Sequence, residues 1–66
     1  MRRIFVSSSR VVSIGYEDGI IEVEFKDGAI YQYYGTDEGI FNEFLHSSSK
    51  GAFINKVLNM YNYSKV

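Results

Sequence analysis

The sequence contains no cysteine, no proline and no tryptophan, and only one histidine, His46. The missing cysteines exclude disulfides and thiolate zinc sites, two staples on which small domains often rely. His46 alone cannot build an imidazole metal centre, which needs two or three converging ligands. No G-x-S-x-G elbow and no glycine-rich phosphate loop accompanies it. Catalysis, a cofactor and a metal are therefore not expected. No run of about 18 apolar residues is present to span a bilayer. Ile4, Phe5 and Val6 are too short an apolar stretch before Ser7 to form a signal peptide. The expectation is a cytoplasmic protein with no membrane partner.

What is present is a foldable balance. The chain has 66 residues, enough for one domain, with 45% hydrophobic and 23% charged residues and a net charge of -1. A domain this small hides only about 60% of its unfolded surface. Six Tyr and five Phe offset that by burying a large area per side chain.

Alternation of apolar and polar residues predicts three strands. Val12, Ile14 and Tyr16 share one side of the first. Ile21, Val23 and Phe25 share one side of the second, and Tyr31 and Tyr33 one side of the third. A two-residue loop at Asp18-Gly19 sets Tyr16 opposite Ile21, Ile14 opposite Val23 and Val12 opposite Phe25. A three-residue loop at Lys26-Asp27-Gly28, with Gly28 left-handed, sets Phe25 opposite Ala29, Val23 opposite Tyr31 and Ile21 opposite Tyr33. A slip of one residue would turn every side chain to the wrong face. The reverse face, with Ser13, Glu22, Glu24, Ile30, Gln32 and Tyr34, is expected to meet solvent.

Two helices follow. Thr36 is the expected cap of the first, with Asp37 and Glu38 at the positive end of its dipole. Ile40, Phe41, Phe44 and Leu45 lie on one side, and His46 complements the far end. Ser48 or Ser49 caps a second helix from about Lys50 to Tyr61, with Ile54, Val57, Leu58 and Tyr61 at helical spacing. Residues 62–66 form a tail or an added edge strand. The expected class is α+β: a three-stranded antiparallel β-meander followed by two α-helices packed on one face.

The ordered motifs resemble the KTSC domain family. Val6, Ser8, Ser9 and Val11 match its opening, followed by Ile14-Gly15-Tyr16. Phe25, Gly28, Tyr31 and Tyr33 match its middle. Ser49, Gly51, Phe53, Ile54, Asn55 and a late Tyr61 match its end. The chain departs from the family at Thr36-Asp37, where Val-Pro is usual, and its first hairpin loop is short. The resemblance implies a small domain found alone in bacterial proteins and at the C-terminus of some lysyl-tRNA synthetases. It carries over a fold and a pointer to RNA, and no catalytic residue.

Charge is unevenly spread: +3 over residues 1–15, -7 over 16–45 and +3 over 46–66. If the ends meet, Arg2, Arg3, Arg10, Lys50, Lys56 and Lys65 form a basic patch able to hold phosphates. Ser8, Ser9, Ser49, Lys50 and Gly51 form a polar set that either binds a ligand or caps helices and loops. Tyr34, on the open face, is a contact candidate, whereas Tyr31 and Tyr33 are read as core rather than as base-stacking rings. The candidate binding residues are thus Ser8, Ser9, Arg10, Tyr34, Ser49, Lys50, Gly51 and Lys56. The favoured function is a non-catalytic protein-interaction module, such as a homo-oligomer or a phage-type inhibitor of a host factor. The alternative is an RNA- or tRNA-binding module using a basic edge.

Overall fold

The computed structural model describes residues 1–66. An antiparallel sheet runs in the order β1 (Arg3–Phe5), β2 (Val11–Glu17), β3 (Ile20–Phe25), β4 (Ile30–Tyr33) and β5 (Tyr63–Lys65). Between β4 and β5 the chain forms α1 (Glu38–His46), α2 (Lys50–Lys56) and a short 3-10 turn, Leu58–Met60. The α+β class is as expected, but the sheet has five strands, not the three of the expected meander: residues 62–66 supply the added edge strand, β5, rather than a tail, and β1 is an unexpected strand. β1 and β5 have three residues each, too few to display a period of two. Their existence depends on partners that lie elsewhere in the chain.

The central hairpins follow the expected registers. Tyr16 faces Ile21 and Ile14 faces Val23. Asp18 and Gly19 take φ of 50° and 80°, the paired left-handed turn that matches strand twist. Val23 faces Tyr31 and Ile21 faces Tyr33. Gly28 has φ 93° and closes the three-residue loop, its N–H donating to the Phe25 carbonyl over 3.0 Å.

At the start of β2 the pairing shifts, so that Val11, not Val12, faces Phe25. This bulge sends Val11 into the core and leaves Val12 partly exposed. Either valine satisfies the apolar pattern, and the extra residue decides between them.

The core lies between one sheet face and the helices. It gathers Val11, Ile14, Ile21, Val23 and Tyr33 with Phe41 and Phe44 of α1, Ile54 of α2, and Leu58. Phe44 is fully buried and stacks on Phe53 at 5.1 Å. Tyr16 stacks on Phe41 at 5.8 Å.

The helix ends correct two expectations. Asp37 caps α1, its Oδ1 accepting from the Ile40 N–H over 2.9 Å. Thr36 instead ties the helix entry to the first hairpin, with both its N–H and its hydroxyl donating to the Gly19 carbonyl. The second helix stops at Lys56 and tightens into the 3-10 turn, rather than running to Tyr61. His46 closes α1, its Nδ1 lying 2.8 Å from the Asn42 carbonyl. A carbonyl can only accept, so Nδ1 carries the proton.

Candidate functional site

The two sheet faces differ in how their polar side chains are occupied. On the outer face, Arg3 reaches across from β1. Its Nε donates to Glu22 Oε2 over 2.7 Å, and its Nη1 to Glu24 Oε1 over 3.2 Å. Ser13 donates to Glu24 at 2.9 Å, and Gln32 donates to Glu22 at 2.8 Å. The Tyr34 hydroxyl donates to Gln32 Oε1 and lies 2.7 Å from Ser64 Oγ. The chain of bonds spans all five strands. Ser13 is 1% exposed and Glu22 9%, so this face is not the open solvent surface expected of it. The Gln32 amide, helped by the Arg3 guanidinium, holds the Glu22 carboxyl below its usual range despite the opposing effect of burial. Tyr34, a contact candidate by sequence, belongs to this closed network. Arg3 is neutralised by its two carboxylates and leaves the expected basic patch.

The helix-covered side is different. Ser8, Ser9, Arg10, Ser49, Lys50 and Gly51 do converge, lining one open cleft of about 380 Å³ with Asn55. Arg10 lies over Gly51, where an added Cβ would come within 3.4 Å of the guanidinium. The serines are largely spent on the backbone. Ser8 Oγ accepts from the Arg10 and Val11 N–H groups, and Ser49 Oγ caps α2 at Ala52. Lys50 is buried, with its Nζ donating to the Ser47 carbonyl over 2.7 Å. Lys56 lies outside this cleft, in a neighbouring shallow depression with Phe53 and Val57.

Arg10 and Asn55 also border a second groove of about 330 Å³, lined by Phe25, Tyr31, Tyr33, Tyr63 and Lys65. The two hollows therefore lie side by side, with Arg10 and Asn55 on the rim of both. Successive rings touch along the groove: Phe25 to Tyr31 at 5.6 Å, Tyr31 to Tyr63 at 6.1 Å and Tyr63 to Tyr33 at 5.4 Å. Tyr33 is buried in the core as expected, and burial pushes its phenol above the usual range, with Tyr63 and Tyr31 adding to the effect. Tyr31 is only partly buried, and Tyr63 is 51% exposed. Lys65 belongs to the cations expected of the basic patch, and its groove position follows from the edge strand within residues 62–66. Tyr63 is missed by the sequence, because nothing in so short a strand marks which of its rings will lie beside β4.

The cations at this groove and cleft lack acid partners. The molecule's ion pairs are Arg3 with Glu22, Arg3 with Glu24, and the N-terminal amine with Glu17. None involves Arg10, Lys50, Lys56 or Lys65. Asp27, the acid on the groove, accepts from the Ala29 N–H.

Comparison with known proteins places these features in a family. The KTSC domain profile matches residues 7–63. An uncharacterized protein of Stutzerimonas stutzeri is 35% identical over 65 residues, covering 96% of this chain and 92% of that protein. A protein of Tsukamurella paurometabola is 33% identical over 55 residues, covering 80% and 82%. The crystal structure of a KTSC domain protein from Yersinia pestis shares 37% identity with a TM-score of 0.91, covering 98% and 96% of the two chains. The chain belongs to the KTSC domain family.

Proposed function

We propose that the aromatic groove, together with the cleft beside it, binds single-stranded RNA, with Tyr31 and Tyr63 offered to bases and Arg10 and Lys65 to phosphates. The observation that carries this reading is the segregation of charge: every ion pair lies away from the groove, and the groove's cations have no acid partner. Exposed rings beside free cations suit a ligand that is both flat and anionic. The near-neutral chain keeps affinity modest, since most such affinity comes from phosphate contacts.

Titration of the labelled protein with short RNA oligonucleotides tests this. Amide shifts are expected at Arg10, Tyr31, Asn55, Tyr63 and Lys65, fading as salt rises. Each phosphate contact contributes about -0.7 to the slope of log affinity against log salt. Tyr63→Ala should weaken binding by about 1–3 kcal/mol, the usual value of one stacked base. The absence of shifts at the lowest salt would remove this reading. A second reading, a protein-interaction module, is supported by a different observation at the β1 edge.

A further inference from the structure

β1 is an edge strand, and its free side is unusually well prepared for pairing. The Val6 N–H donates to the Val12 carbonyl over 3.1 Å, and Ile4 faces Ile14. Antiparallel ladders alternate, so Arg3 and Phe5 point their N–H and C=O groups away from β2. Phe5 is 80% exposed and touches no other ring in the fold. Ile4 is also exposed, on the opposite side of the strand. Edge strands are normally blunted by shortness, free charge, a proline or a bulge. β1 is short, at three residues, but it has neither proline nor bulge, and the charge of Arg3 is already balanced by Glu22 and Glu24.

We propose that two copies of this chain pair through β1, antiparallel and about a twofold axis at Ile4. In that register Ile4 faces its counterpart, and Arg3 faces Phe5 of the other copy. Arg3 and Phe5 then exchange both backbone hydrogen bonds, twice over. Each Phe5 ring lies against the aliphatic stem of the other copy's Arg3, whose guanidinium is drawn across β2 to Glu22 and Glu24. The same patch meets itself, which closes the assembly at two. The opposite edge is less suited, because Tyr63 already leans on Tyr31 and Tyr33 and Lys65 carries an unpaired charge. The two grooves would sit at the far ends of a ten-stranded sheet, free to act together.

Analytical ultracentrifugation of the intact chain over a concentration series tests the pairing. The expected species has twice the 7.6 kDa monomer mass. Phe5→Lys, at an exposed position, removes the ring and sets a free lysine on the edge, the usual block to strand pairing. It should raise the dissociation constant at least about tenfold, with the far-UV spectrum unchanged. Amide hydrogen exchange gives a second readout: Arg3 and Phe5 should be protected at high concentration and should lose protection on dilution. A wild-type chain that stays monomeric up to millimolar concentration overturns the proposal. So does a dimer that survives Phe5→Lys with Arg3 and Phe5 unprotected, because another face must then hold it. Neither result bears on RNA binding, which is read at the other edge.

Discussion

The two faces of one small sheet use the same residue types to opposite ends. Outside, Arg3, Ser13, Glu22, Glu24, Gln32, Tyr34 and Ser64 bond to one another across every strand. Inside the groove, Arg10, Lys65 and Tyr63 have no comparable partners among the charged side chains. A polar side chain whose bonds are complete stabilises the fold and has little to offer a ligand. One whose bonds are incomplete contributes less to the fold and keeps its capacity for binding. Polar character alone therefore does not locate a site; the state of its hydrogen bonds does.

The largest expected effect breaks the scaffold beneath both faces. Phe44→Ala removes a fully buried ring and should cost about 3–5 kcal/mol. For a domain of this size that is most of the stability, so urea unfolding should show little folded baseline at room temperature.

A smaller effect separates the faces. Arg3→Ala leaves Glu22 and Glu24 without their cation and should cost about 1–3 kcal/mol in urea unfolding, with RNA shifts at Tyr63 retained. Its pH profile carries the sign. The folded Glu22 carboxyl lies below its ordinary value of 4.5. Its contribution is present above 4.5 and is lost as pH falls through the lower folded value. The Gln32 bond, the larger cause, remains in the variant, so that acid limb should become shallower without vanishing; a limb as steep as that of the wild type would remove Arg3 from the cause. Tyr33 acts at the other end of the scale. Its phenol is raised above 10.0, so its contribution is present below that value and is lost as pH rises through the higher folded one. Tyr33→Phe should soften the alkaline limb.

The smallest effect sharpens the contrast. Tyr34→Phe deletes the hydroxyl shared with Gln32 and Ser64, and about 0.5–1.5 kcal/mol of stability should go with it. Oligonucleotide affinity should stay at wild type. A loss of affinity comparable to that of Tyr63→Ala would place the ligand on the outer face instead.

Much of the interior was legible in the sequence because it is local. The alternation of β3 and the glycines at 19 and 28 determine both hairpins within a few residues. The bulge was not legible, since Val11 and Val12 are equally apolar and only the three-dimensional path chooses between them. Burial of Ser13 and Glu22 was not legible either, because their cover is Arg3, 10 and 19 residues away along the chain. Of the candidate site, the serine, arginine and lysine cluster was visible as motif residues. The aromatic half was visible only in part: Tyr31 shows in the strand pattern, but Tyr63 has no local signature and becomes a neighbour through pairing with β4.

β1 reaches its place because of what Gly15 does not have. A Cβ there would lie 2.7 Å from the Arg2 carbonyl and 3.1 Å from the Met1 sulfur, so even alanine would push the first strand off the sheet. With it would go the guanidinium that covers Glu22. In a saturation mutagenesis map this position should therefore be as intolerant as Phe44, although it contributes no volume to the core. Selection would be preserving an empty space as strictly as a filled one.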